Sequence, residues 1–204
     1  MTDHLIIFAK NPELGKTKTR LGNKLGDDVA LAVYYNLIHR TQEVTADVNV
    51  TKIVYYSSFV DREDSWDNIT YKKKRQKGEN LGVRMAQAMK DSFEEGATKV
   101  VLVGTDIYDL TSNIIQTAFN ELDDHDVVIG PAKDGGYYLV GLSKPVYSIF
   151  DLDSWSHSEV YNETMALINQ ANLSSSVLVE LNDIDEPEDL KGTDLEKFLF
   201  DIGK

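Results

Sequence analysis

Short runs that are apolar throughout recur along the chain, separated by longer stretches in which apolar residues return every three to four positions. The first pattern fits a strand buried on both faces, the second a helix with one apolar stripe. "LIIF" at 5–8 predicts a strand. Asp27 then opens a helix to about Ala46, with Val29, Val33, Leu37 and Ile38 in its stripe. "KIVYYSS" at 52–58 predicts a second strand, and "NITYKKKR" at 68–75 a third, whose polar alternation suits a sheet edge. Residues 80–95 read as a helix with Leu81, Met85, Ala88, Met89 and Phe93 on one side, stopped by Gly96. "KVVLVG" at 99–104 is apolar enough for the middle of a parallel sheet.

Thr111 or Ser112 starts the next helix, with Ile114, Ile115, Ala118, Phe119 and Leu122 facing in. "DVVIGPA" (126–132) predicts a strand, "DGG" a turn and "YYLVGL" (137–142) another strand. A helix over 157–171, a strand "SSVLVEL" (175–181) and a helix "PEDLKGTDLEKFL" with Pro187 near its start complete the pattern. Alternating strands and helices imply a mostly parallel sheet with helices on both faces. Without an internal repeat or a linker, residues 1–204 read as a single α/β domain. Ligands of such sheets bind beyond the carboxyl ends of the strands. Those ends carry the unusual residues here: a basic loop after 5–8, Thr105-Asp106 after 99–104, and "PAKDGG" after 126–130.

The 204 residues carry 34 acids against 21 Lys and Arg, a formal charge of −13, which argues against a general nucleic-acid binder. The chain has no cysteine, which excludes disulfides and thiol catalysis. No apolar run reaches the ~18 residues of a membrane span. The N-terminal apolar run is too short and too poorly flanked for a signal peptide, so a cytoplasmic location is expected.

In so acidic a chain, ten of the 21 basic residues fall in Lys10–Lys24 and Lys72–Lys77. The second cluster reads as a solvated edge. The first, "FAKNPELGKTKTRL", follows a strand directly. Its "GKT" invites a phosphate-binding P-loop, but position 10 is Lys where that motif needs Gly, and Pro12 removes an amide donor. The other reading is a loop that grips phosphates with side chains. In an extended segment Lys16, Lys18 and Arg20 share one side, and a di- or triphosphate suits three such cations. A solvated basic loop is the plain alternative.

Asp106 ends the most apolar strand, as a cap, a core hydrogen bonder or a metal ligand. "NDIDEPEDL" (182–190) places Asp183 and Asp185 before Pro187. Much of that cluster would suit a helix N-terminus. Two strand-end acids from distant segments can also hold one Mg²⁺ or Mn²⁺ against phosphate oxygens. Gly135 and Gly136 allow a tight turn or a close approach to a ligand. The four histidines show no ligand spacing.

Six motifs in order, "FAKNPELGKTKTRL", "QKGENLGVRM", "VLVGTDIYDL", "VVIGPAKDGGYYLVGL", "SW" and "NDIDEPEDL", resemble the radical-SAM/selenodomain-associated transferase 1 family over nearly the whole chain. That family is a branch of the GT-A nucleotide-diphospho-sugar transferase fold. The basic loop and the closing motif are also similar to those of 2-phospholactate guanylyltransferase, and the closing motif to that of molybdenum-cofactor guanylyltransferase. The resemblance implies a nucleoside triphosphate or nucleotide-sugar donor, an unknown acceptor, and Mg²⁺ or Mn²⁺. Lys18, Arg20 and Asp106 are its expected catalytic residues. Lys10, Lys16, Gly82, Arg84, Asp134, Gly135 and Gly136 are expected at the donor and acceptor, and Asp106, Asp183 and Asp185 at the metal. Where the family commonly has Pro two residues after the Asp, this chain has Tyr108, which would reshape that loop. A nucleotide- or partner-binding module that kept the fold without the reaction is the alternative.

Overall fold

The computed structural model describes residues 2–202. Among them are strands β1 (His4–Ala9), β2 (Thr51–Tyr56), β3 (Tyr71–Arg75), β4 (Val100–Gly104), β5 (Val127–Pro131), β6 (Tyr137–Leu142) and β7 (Ser175–Val177). They form one sheet in the order β3-β2-β1-β4-β6-β5-β7. β1 is parallel to β2 and β4, β2 to β3, and β5 to β7. β6 is the exception, antiparallel to both neighbours, because a short turn returns the chain directly from β5. The helices are α1 (Thr19–Leu25), α2 (Asp27–Ala46), α3 (Leu81–Glu94), α4 (Ser112–Glu121), α5 (Val160–Gln170) and α6 (Asp194–Ile202). None of them is long and apolar enough to cross a membrane.

Successive strand residues point to opposite faces, so the sheet splits its apolar residues between two cores. Leu5, Ile7, Val54, Tyr56, Val101 and Val103 pack with Val33 and Leu37 of α2 and Ile115 and Phe119 of α4. Ile6, Ile53, Tyr55, Leu102 and Val140 pack on the other side with Met85 and Met89 of α3 and Ile168 of α5. Each fully buried Leu, Ile or Met here contributes roughly 1.5–3 kcal/mol.

Several boundaries differ from the sequence expectations. The basic loop is not extended to its end: Thr19–Leu25 is helical despite Gly22 and Gly26. A Cβ on Gly22 would stand 2.7 Å from the Asp27 carboxylate and 3.6 Å from Ala30, so the missing side chain lets α1 lie against α2. The helix at Asp27 is capped by Gly26, with Asp27 in its first turn. Leu81, expected to face in, is 42% exposed at the start of α3. "SSVLVEL" is a strand only to Val177; beyond it the ladder is reduced to a bridge between Ala132 and Leu181. The last helix is two pieces, a 3-10 turn at Pro187–Leu190 and α6, divided where Gly192 takes φ 79°.

Candidate functional site

β1 and β4 lie side by side, yet their chains depart to opposite sides of the sheet, β1 towards β2 and β4 towards β5. Such a switch of direction opens a crevice beyond the strand ends. Tyr34 of α2 holds the two ends together. Its hydroxyl accepts from the Lys10 amide at 2.8 Å, donates to the Lys10 carbonyl at 3.0 Å and meets the Thr105 hydroxyl at 3.1 Å. Burial, reinforced by Asp106, pushes that phenol well above the usual tyrosine range, so it stays a neutral donor.

The loop after β1 is closed on itself. The Thr17 hydroxyl donates to the Asn11 carbonyl at 3.2 Å and accepts from the Glu13 amide at 3.3 Å. The Asn11 side chain in turn accepts from the Ser58 amide and donates to the Phe59 carbonyl, tying the loop to the end of β2. Lys18 follows as the N-cap of α1, in the left-handed region at φ 51°, ψ 48°. This turns its side chain inward. The expected row of three cations on one side does not form, because the segment is not extended: residues 14–16 form a turn, with the Lys16 amide donating to the Glu13 carbonyl at 3.1 Å and Gly15 at φ 71°. Lys16 is exposed and pairs with Glu13 at 2.7 Å. Arg20 lies on the open surface of α1, 3.6 Å from Asp185.

The Lys18 ammonium sits between two carboxylates, 2.6 Å from Asp106 Oδ1 and 2.9 Å from Asp185 Oδ1. Asp185 arrives because residues 183–184 run antiparallel to 106–107. Asp183 bridges Ile107, and the Ile184 amide donates to the Asp106 carbonyl at 2.9 Å. Asp189 fixes the bend that follows, accepting from the amides of Asp185 at 3.0 Å and Glu186 at 2.7 Å and from Asn182 at 2.9 Å. Burial alone would lower the Lys18 ammonium, but Asp106 and Asp185 outweigh it and hold it above ordinary lysine. Burial likewise opposes ionisation of Asp185, but Lys18, Arg20 and Lys10 overcome it and hold the acid below the usual range.

Asp183 has the opposite character. Burial, then repulsion from Asp134 and Asp185, raises it to about 6. Asp134 accepts from the Gly136 amide at 2.8 Å in the turn between β5 and β6. Gly135 is required there at φ 89°, since a Cβ would come within 2.0 Å of the Ser158 carbonyl. Gly136 shows no such constraint.

Gly82 and Arg84 serve local packing. A Cβ on Gly82 would meet the Phe150 carbonyl at 2.5 Å and the Trp155 ring at 2.6 Å, so this glycine seats α3 on residues 150–155. Arg84 Nε donates back to the Gly78 carbonyl at 3.0 Å, bracing the turn before its own helix. Tyr108 points away from the crevice: its hydroxyl meets Asp194 of α6 at 3.2 Å, and the Arg40 guanidinium lies 5.9 Å from its ring centre.

Asp106 and Asp185 share one cation position, a donor set of hard oxygens that suits Mg²⁺ or Mn²⁺. Among the described residues, no three carboxylates or imidazoles converge into a closed metal cage. Hollows of about 290 Å³ beside Arg62 and Lys72 and about 130 Å³ between α2 and α6 lie apart from this crevice. The crevice is a shelf open to solvent at Asp106 and Asp185.

Sequence reasoning missed Tyr34 and Asp189. Tyr34 carried a signal, a hydroxyl within the buried stripe of α2, which needs a partner. Asp189 carried none beyond membership of an acidic run.

The chain superposes on the crystal structure of a candidate nucleotide-diphospho-sugar transferase from Desulfovibrio desulfuricans G20 with a TM-score of 0.85. The two are 29% identical over 98% of this chain and 95% of that one. It is also similar to the inositol-1-phosphate CTP transferase from T. maritima, with a TM-score of 0.58 and 16% identity over 95% of this chain and 93% of that one. A third likeness is to Rv0371C from Mycobacterium tuberculosis H37Rv in complex with manganese, with a TM-score of 0.51 and 13% identity over 98% and 99% of the two chains. The last two likenesses show the fold alone. No curated protein matches the sequence. Residues 40–157, more than half of the chain, match the family described as an uncharacterized protein conserved in bacteria (DUF2064), and the protein belongs to that family.

Proposed function

We propose that the protein is a metal-dependent transferase that takes a nucleoside triphosphate or a nucleotide sugar as donor. One observation carries this reading: the buried Lys18 ammonium held by Asp106 and Asp185 beyond the ends of β1 and β4. The likeness to the Desulfovibrio protein, the two further likenesses and the resemblance of the six motifs support it.

In this reading the donor polyphosphate lies on the shelf between the loop after β1 and Asp106. Lys18 and Arg20 grip its oxygens, and Lys10 adds positive charge beside Asp185. Lys16, turned to Glu13, has a lesser part. Asp106 and Asp185 would hold the divalent cation, with Asp183 nearby. When bound, the cation neutralises charge on the phosphates and on the leaving group. The turn carrying Asp134, Gly135 and Gly136 faces the acceptor side.

The basic residues of the loop after β1 favour nucleotidyl transfer. An acceptor phosphate oxygen attacks the donor α-phosphorus, the bond to the β-phosphate oxygen breaks, and pyrophosphate leaves with its negative charge on the lysine and arginine side. In glycosyl transfer the acceptor hydroxyl would attack the sugar carbon, lose its proton to a carboxylate, and release the nucleoside diphosphate.

The test is a thermal-shift series with the common nucleoside triphosphates and nucleotide sugars, with and without Mn²⁺. A ligand at ~100 times its Kd stabilises the native state by about 2.7 kcal/mol. A raised melting temperature with at least one of them is expected; no shift with any would sink the reading. Turnover of the bound donor then separates an enzyme from a binding module.

A further inference from the structure

Lys18 is an unusual occupant of its position. Its backbone is left-handed, at φ 51°, where a Cβ is disfavoured and glycine or asparagine is the common choice. Its side chain is only 3% exposed. Lysine is nearly the last residue that burial would select unless paired. Two carboxylates, one of them 167 residues away in sequence, keep it there.

We infer that the Lys18 ammonium and a divalent cation are alternative occupants of one position between Asp106 and Asp185. A cation joining those two oxygens needs bonds of ~2.0–2.6 Å to both. That is the space in which the ammonium already lies, at 2.6 and 2.9 Å. Two positive charges cannot share it. Of the two, the lysine is free to leave, since its charge rides on a four-carbon stem with rotatable bonds. The carboxylates are open on one side, with side chains 39% and 36% exposed, so an ion can enter as the stem swings out.

The groups left behind favour the exchange. Asp183 adds negative charge beside the vacated position, and Asp134 lies next to Asp183. On the reading proposed above, donor phosphate is what receives the displaced ammonium. Lys18 would then hold the two acids in register until both donor and metal arrive, and each ligand would strengthen binding of the other by the same factor.

The deciding measurement uses Mn²⁺ alone, without nucleotide, titrated into wild type, Lys18→Met and Lys18→Gly while the spectrum of free Mn²⁺ is followed by electron paramagnetic resonance. Met keeps the length of the stem. Gly suits the left-handed backbone and serves if the Met variant does not fold. If the lysine leaves the position vacant less than ~10% of the time, removing it should tighten Mn²⁺ binding at least ~10-fold. Mn²⁺ should also raise the melting temperature of either variant more than that of wild type. Adding Asp106→Asn to the Lys18 variant should cancel both gains. Equal Mn²⁺ affinity in wild type and the folded variants overturns the inference, as does a gain that survives Asp106→Asn. Because this arm contains no nucleotide, it decides the exchange at Lys18 even if every donor fails in the thermal-shift series.

Discussion

Lys18 and Lys73 are both lysines buried against aspartates, with side chains 3% and 5% exposed. Their partners differ. Lys73, on β3, meets Asp64 alone, and Asp64 is itself enclosed at 14% exposure. Asp64 also accepts from the Tyr56 hydroxyl and, at 3.1 Å, from the Trp66 amide, and Trp66 packs edge-on against Tyr71. Every member of that cluster comes from residues 56–73, and the bonds to Asp64 hold β2, the following loop and β3 together. Lys18 is shared by two carboxylates that are more than a third exposed, and the three residues come from distant parts of the chain. Burial of the lysine is therefore common to both clusters, and the exposure of the acids is what differs. A closed pair can only be broken, whereas an open pair can change partners.

The sharpest way to test this contrast is to truncate one acid in each cluster. Asp64→Ala strands Lys73 in the interior, and breaking such a buried pair costs about 3–5 kcal/mol. Asp185→Ala leaves Lys18 with Asp106 and should cost less than half as much. Urea unfolding checks both through the shift of the midpoint at constant slope. Equal losses would erase the distinction between the clusters.

Ligand affinity should respond in the reverse sense. Lys18→Ala is expected to weaken donor binding by about 1.5–3 kcal/mol, the worth of a hydrogen bond to a charged group. Arg20→Ala should cost less, because Arg20 is 67% exposed and 3.6 Å from its acid. Lys73→Met should leave donor affinity unchanged. Calorimetric titration with the donor found by thermal shift measures all three, and a loss of affinity confined to Lys73→Met would invert the assignment.

The smallest effect concerns the acid that the open cluster leaves without a cation. Asp183 is raised to about 6 by burial and its acidic neighbours. Between the unfolded value near 4 and that folded value, the native state binds the extra proton. Stability contributed by this group is thus full below about pH 4 and declines as pH rises to about 6. Asp183→Asn removes the penalty and should gain roughly 1 kcal/mol above pH 6, after allowance for solvent screening, with no gain at pH 4. Unfolding curves of both proteins at pH 4 and pH 7.5 decide it; a gain independent of pH would assign the effect to packing instead.

How far the sequence was legible follows from which forces are local. Strands such as β1 and β4 declare themselves, because burial on both faces leaves only apolar residues. The reversed direction of β6 is written not in "YYLVGL", which would read the same in either orientation, but in the short "DGG" turn before it, too short for a parallel crossover. α1 was hidden by its glycines. Helix propensity counts against Gly22, and only the closeness of Asp27 and Ala30 explains it. The same applies at the site. Asp106 was recognisable from the strand that carries it. The inward turn of Lys18 was not, because a left-handed lysine runs against local preference and is settled by two acids that no neighbouring residue announces. Gly82 and Arg84 are expected at the donor from the helix start they occupy, and the contacts visible in the structure are local ones to residues 150–155 and Gly78.

The antiparallel bridge between residues 106–107 and 183–184 has a consequence for the order in which the protein is made. Lys18 and Asp106 can meet once β4 has joined β1, but Asp185 emerges roughly 80 residues later, about 4–16 s at ~5–20 residues per second. During that interval Lys18 has one of its two carboxylate partners, and the bridge to the end of β4 is missing. A nascent or prematurely ended chain that stops before Asp185 holds every strand of the sheet but lacks Leu190 and Leu195 of the α2 and α4 core as well as the Lys18–Asp185 pair. Completion of the crevice is a late event in the life of each molecule, timed by translation and separate from the collapse that builds the fold.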